Sequence, residues 1–192
     1  MRKLSGSRSL YRCKACSLPP VGCRLQKIIH IGGPKQLIPS NERLRGYADS
    51  VKQFSREHPV IHYEGDYSLE SGRLLTKEAL KQHPDADGFF LGNDLMAIGC
   101  LKMLKTLRRK IPEEIAVAGF DGIDLTTLVE PEITTIEQPV YEIGLAAAGK
   151  LIQLIEEKTG GNEAFPKLTL KLLARASTLG FKGKTISKGE GQ

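Results

Sequence analysis

The strongest constraint on this chain is a rhythm: short β-branched runs alternate with stretches of helical period from residue 27 to residue 174. Lys27-Ile-Ile-His-Ile31 reads as a buried strand, and Gly32-Gly33-Pro34 ends it. Residues 41–56 carry Leu44, Tyr47, Ala48, Val51 and Phe54 at spacings of three and four, which predicts a helix. A strand at 60–63 follows, then a helix at 70–82 with Leu74, Leu75, Ala79 and Leu80 facing inward. Next come a strand at 88–91 and a helix at 94–107 with Met96, Ala97, Cys100, Leu101 and Leu104 on its apolar face. A strand at 115–119, a short extended piece at 133–136, a helix at 140–156 and a last strand candidate at 168–174 complete the series. Strands alternating with helices at this spacing predict βαβ units with right-handed crossovers. The fold class is therefore α/β: a parallel sheet flanked by helices on both faces. Asp94 is expected to cap the helix that it opens, and Pro112-Glu113-Glu114 to form a turn.

Charge divides the chain unevenly. Of 192 residues, 1–41 hold eight Lys and Arg and no acid, whereas 42–192 hold 20 basic and 22 acidic residues. The body is nearly neutral. Residues 1–24 show neither strand nor helix period and read as an irregular basic leader; residues 181–192 read as a polar tail. A basic arm can bind nucleic acid or an anionic surface, and a disordered leader is the simpler reading. No apolar run approaches the roughly 18 residues that span a bilayer, and the start lacks the apolar block of an export signal. A cytoplasmic location is the expectation. Cys13, Cys16 and Cys23 lie in the leader and, with His30, supply four potential zinc ligands. Only the first pair has good spacing, so no metal and no cofactor are assigned.

In an open parallel sheet, ligands bind beyond the carboxyl ends of the strands. The residues there are Arg43 after the first strand, Asp66 and Tyr67 after the second, Asn93 and Asp94 after the third, and Phe120 and Asp121 after the fourth. Such a set suits a polar, hydroxylated small molecule. Asp accepts bonds from neighbouring hydroxyls, Asn donates and accepts, and Arg offers a rigid fork of donors. An aromatic ring covers the apolar face of a sugar or stacks on a base. For Asp94 a helix cap is the favoured reading over a ligand contact; on position alone Asn93 and Asp121 stay open, and for Arg43 and Tyr67 ordinary surface or packing roles are favoured. Catalytic readings lack support. There is no phosphate loop, no Gly-x-Gly-x-x-Gly after a strand and no nucleophile elbow. His58 and His83 precede prolines, His30 and His62 lie inside strands, and none stands beside the Asp94 and Asp121 edge. The chain is read as a binding protein, not an enzyme.

The segments "LQKIIHIGGP", "NERLRGYADSV", "EGDYSLESG", "GFFLGNDLMAIGCLKML", "IPEEIAVAGFDGIDL", "PEITTIEQPVYEIGLAAAGKLIQLI" and "LLARAST" resemble, in order and spacing, the lactose-repressor (LacI/GalR) family of bacterial transcription regulators. The resemblance covers roughly residues 25–180. It implies a periplasmic-binding-protein-like core of two lobes with a sugar or nucleobase effector between them. By motif position it makes Arg43, Asn93 and Asp121 polar effector contacts, Tyr67 an aromatic over the ligand, and Gln138 a residue near the interlobe crossover. It implies a homodimer on a DNA operator for intact relatives. Nothing here matches their helix-turn-helix head, hinge helix or most of the first lobe. A truncated or frame-shifted gene is the expectation, with one lobe nearly complete and residues 139–158 a single helix of the other. That helix should then carry an unpartnered apolar stripe of Ile143, Ala147, Leu151 and Leu154, and the chain should bind no operator by sequence. A transport-type sugar-binding protein is the alternative reading.

Overall fold

The structure is a computed structural model that describes residues 25–54, 59–156 and 168–181. Its elements run β1 (Ile28–Gly32), α1 (Ile38–Phe54), β2 (Ile61–Glu64), α2 (Leu69–Gln82), β3 (Gly88–Leu91), α3 (Asp94–Thr106), β4 (Ala116–Ala118), a single-turn 3-10 helix (Asp124–Thr127), β5 (Thr135–Glu137), α4 (Val140–Ile155) and β6 (Lys171–Leu173). Strands β2-β1-β3-β4 form a parallel sheet in that order. The register sets Ile29 opposite Ile61 and Phe89, and Phe89 opposite Val117. Parallel bridges from Ala118 to Thr134 and from Asp121 to Glu137 attach β5 beside β4, and β6 pairs antiparallel with β5.

The period-two pattern of the strands divides two cores. Ile29, Ile31, Phe89, Leu91 and Val117 face α2 and α3, whose Ala79, Met96, Ala97, Cys100 and Leu104 are buried against them. Each fully buried Ile, Leu, Met or Phe contributes about 1.5–3 kcal/mol. The other face presents Phe90, Ala118 and Ile136 to Tyr47 of α1. The Tyr47 hydroxyl donates to the carbonyls of Ile28 and Ile61 and so fastens α1 across two strands.

Two expectations need correction. Leu74 does not face inward; it is 49% exposed. The buried stripe of α2 is Gly72, Thr76, Ala79 and Leu80. Its start is a glycine because α2 and α3 touch backbone to backbone: a Cβ on Gly72 would strike Met96, and one on Gly99 would strike the Leu69 carbonyl. Nor does Asp94 cap α3. Asn93 does, accepting from the Met96 amide at 2.9 Å in an extended backbone conformation.

The segment 171–178 ties the base of the fold. Ser177 donates its hydroxyl to the Val117 carbonyl and accepts from the Thr134 amide at 2.8 Å. Arg175 reaches the Thr126 hydroxyl at 2.6 Å and the Ile133 carbonyl at 3.0 Å. In α4 no residue is buried.

Candidate functional site

The carboxyl ends of β1, β3 and β4 gather the predicted residues around one ion pair. Arg43, in the second turn of α1, donates from Nη1 to the Gly92 carbonyl and from Nη2 to Asp121 Oδ1 at 3.1 Å. Its guanidinium carbon lies 4.0 Å from the Phe120 ring centroid and 6.0 Å from that of Tyr67. A carboxylate partner and the face of an aromatic ring both attract a guanidinium. Gln138 Nε2 donates to the same Asp121 oxygen at 2.7 Å. Burial raises the Asp121 carboxyl above its ordinary range, against the pull of Arg43 and the Gln138 bond.

Two members sit in backbone conformations that L-residues seldom adopt: Tyr67 at φ 69° and Asp121 at φ 120°. Each costs on the order of 1–3 kcal/mol and persists where the surroundings over-determine it. Asp121 is held by its amide on the Ile136 carbonyl at 3.0 Å and by the Gln138 amide on its own carbonyl at 3.2 Å. Tyr67 is held by its hydroxyl, 2.6 Å from Ser40 Oγ, and by Asn93 Nδ2 on its carbonyl at 3.0 Å. Its ring lies flat over Gly33, where any Cβ would collide with it. Asn93 thus joins α3 to the β2–α2 loop while capping its own helix.

Asp94 stands behind this group and is fully buried. Its Oδ2 accepts from the amides of Gly122 and Ile123 at 2.7 and 2.9 Å, and its Oδ1 accepts from the Thr135 hydroxyl. Burial raises its carboxyl, and the Thr135 hydroxyl and the two backbone bonds oppose that shift. It shapes the loop that presents Asp121.

The structure therefore brings Arg43, Asp121 and Gln138 into direct contact and Asn93 into contact with Tyr67. Asp66 is used locally, accepting from the Ser68 amide at 2.8 Å. Sequence reading missed Ser40 and the anchoring task of Asp94. A serine one turn from the start of a helix carries no signal of a partner 27 residues away. His30 is buried on β1, where its Nδ1 donates to the Phe90 carbonyl at 2.8 Å. Cys13, Cys16 and Cys23 lie outside the described residues, and among the described residues no three His, Cys, Asp or Glu side chains converge as metal ligands. No described helix is long and apolar enough to cross a membrane.

Comparison with known proteins follows the same lines. A family model described as a periplasmic binding protein-like domain matches residues 22–178. The chain is 33% identical over 159 residues to the ribose operon repressor of Halalkalibacterium halodurans, covering 83% of this chain and 46% of that protein. It is 32% identical over 149 residues to the transcriptional repressor CytR of Escherichia coli, covering 77% and 43%. Among solved structures it is similar to a sugar-binding LacI-family regulator from Escherichia coli complexed with phosphate, with TM-score 0.73, 26% identity, and 88% and 60% coverage. The regulator CelR bound to cellobiose matches with TM-score 0.73, 27% identity, and 90% and 51% coverage. The lac repressor dimer bound to operator and an anti-inducer matches with TM-score 0.72, 25% identity, and 80% and 46% coverage. The chain spans less than half the length of the two curated relatives. These relatives are regulators rather than enzymes, and they do not favour the transport reading. The chain belongs to the periplasmic binding protein-like domain family, and its relatives there are LacI-family transcription regulators.

Proposed function

We propose that this chain carries the second-lobe half of a small-molecule sensing site of a LacI-type transcription regulator, with Arg43, Tyr67, Asn93, Asp121 and Gln138 as the effector-contacting set. One observation carries the reading: beyond the strand ends Arg43 and Gln138 both bond to Asp121, and Asn93 bonds to Tyr67, with Tyr67 and Asp121 in positive-φ backbone. Asp121 supplies the acceptor for ligand hydroxyls and the Tyr67 ring a flat apolar wall. Arg43 aims the carboxylate. In an intact relative, effector binding would bias the lobe arrangement and through it operator affinity. The sensing core runs from about residue 25 to 180, with α4 belonging to the first lobe. The setting is the cytoplasm, and the chain catalyses no reaction.

Isothermal titration of the purified chain with D-ribose and with cellobiose tests the sensing role. At least one is expected to bind, and Asp121→Ala to weaken it by about tenfold or more, as loss of a charged hydrogen bond requires. Equal binding by Asp121→Ala, or by an Arg43→Ala variant, would remove these residues from the site. A gel shift with operator DNA is expected to show only weak, salt-sensitive binding; tight sequence-dependent binding in high salt contradicts the assignment.

A further inference from the structure

Among the described side chains, two buried polar atoms lack a hydrogen-bond partner: Arg43 Nε and His30 Nε2. Arg43 belongs to the candidate sensing site. His30 stands outside that site's hydrogen bonds. Its ring is fully buried on β1, and its Nδ1 gives its proton to the Phe90 carbonyl, which can only accept. Nε2 is therefore the bare lone pair of a neutral imidazole. A buried acceptor without a partner bears the whole cost of its lost hydration.

The lone pair is aimed at a second imidazole nitrogen. His62, exposed on the edge strand β2, is the direct cross-strand neighbour of His30. Their ring centroids are 5.6 Å apart, with 28° between the planes. Both Nε2 atoms converge beside Gly32: a Cβ there would stand 2.9 Å from that of His62 and 3.1 Å from that of His30. A histidine whose Nδ1–H is held by a backbone carbonyl while Nε2 stays free is oriented as metal-ligating histidines are. Charges act on the pair in opposite senses. Arg43 reaches His30 with positive charge, but Asp121 pairs with it at 3.1 Å. Glu64 reaches His62 with negative charge, and it lies opposite Gly32 in the register, held only loosely by Lys35 at 3.9 Å.

We propose that His30 and His62 form a two-imidazole site for a divalent transition metal of the copper, nickel and zinc group, with the missing Cβ of Gly32 as the gap that admits the ion. Imidazole suits these metals, whereas Mg2+ and Ca2+ ask for oxygen ligands. Metal–imidazole bonds of about 2.0–2.1 Å require His62 to turn toward His30, which its exposure at the sheet edge allows. The ion gives the buried lone pair its partner and ties β2 to β1. The site does not depend on the sensing reading.

The test uses the full chain with Cys13→Ser, Cys16→Ser and Cys23→Ser, so that these thiols do not compete, in isothermal titration with Cu2+, Zn2+ and Mg2+. Copper and zinc are each expected to bind once per chain, copper the tighter, and magnesium not at all. Saturating Zn2+ is expected to raise Tm by about 5 °C. His62→Ala removes a ligand at an exposed position. Gly32→Ala keeps both ligands and fills the gap, at a cost met by the far end of His62. Each is expected to weaken metal binding about tenfold or more, while His83→Ala, outside the pair, leaves it unchanged. Electron spin echo spectroscopy of the copper-loaded chain is expected to show two coordinated imidazoles, and one in His62→Ala. Affinities that His62→Ala and Gly32→Ala leave within about twofold of the parent overturn the proposal. So does a copper spectrum with fewer than two imidazoles, or a parent that binds neither copper nor zinc.

Discussion

Asp94 carries three hydrogen bonds on a fully buried carboxylate, two of them from backbone amides. Removing it leaves two inward-facing N–H groups with one long alternative, the Thr135 hydroxyl at 3.3 Å from the Gly122 amide. Unpaired buried donors cost about 1–3 kcal/mol each, so Asp94→Ala is expected to lower stability by about 2–4 kcal/mol in urea unfolding, and Thr135→Val by about 1 kcal/mol. An Asp94→Ala variant as stable as the parent would show that the loop 121–123 holds itself. His30 offers a second measurement at this scale. Burial brings its pKa from 6.5 down to about 3, helped by the charge of Arg43 and by His62. The folded state keeps the ring neutral while the unfolded chain protonates it below about 6.5. Its contribution is thus complete above that pH and is lost as pH falls toward 3, on the order of a few kcal/mol in all. The urea midpoint is expected to fall between pH 7 and pH 4, and to fall less steeply in His30→Phe. Parallel slopes in the two proteins would show that the ring does not titrate across unfolding.

At the level of elements, the contact of α2 with α3 and the exposure of α4 make opposite demands on glycine. A Cβ on Gly99 would strike the Leu69 carbonyl, whereas nothing lies within 4 Å of one on Gly144. Gly99→Ala is expected to destabilise by about 1–3 kcal/mol or more, through backbone that must part. Gly144→Ala is expected to raise helix content or leave stability within about 1 kcal/mol of the parent. Thermal unfolding of the pair checks the contrast, and similar values would mean that α2 and α3 separate more easily than their packing implies. The start of α1 teaches the same lesson about local signals. The apolar spacing from Leu44 onward predicts a helix from residue 41, but it begins at Ile38 with Pro39 in its first turn. Proline is tolerated there because no intrahelical partner exists for its missing N–H.

For the whole molecule, the balance of burial is uneven. The sheet and α1–α3 enclose two cores, while α4 leaves Val140, Tyr141, Leu145, Leu151, Leu154 and Ile155 more than half exposed. A contiguous apolar surface of this kind favours association. Sedimentation is expected to show concentration-dependent assembly that Leu151→Glu with Leu154→Lys reduces, without lowering the melting temperature. A monomeric parent chain at all concentrations would contradict this.

How much of this was legible depends on the range of the interaction. Period-two strands, period-3.6 helices and the parallel order are local patterns, so residues 28–32, 88–91 and 94–106 read nearly as they fold. The residues after the strand ends, Arg43, Tyr67, Asn93 and Asp121, followed from that pattern, and family resemblance added Gln138. Their connections did not follow from either. Arg43 and Asp121 are 78 positions apart, and Asp94 and Thr135 are 41 apart. Hydrogen bonds and ion pairs between such positions exist only once the strands have brought their ends together. The sequence by itself determined an α/β sheet with polar residues after each strand. Tertiary structure alone decided that Arg43 pairs with Asp121, that Asp94 holds a loop instead of capping a helix, and that Leu74 is half exposed. The reason is that desolvation and close packing are properties of the assembled neighbourhood, not of any residue within it.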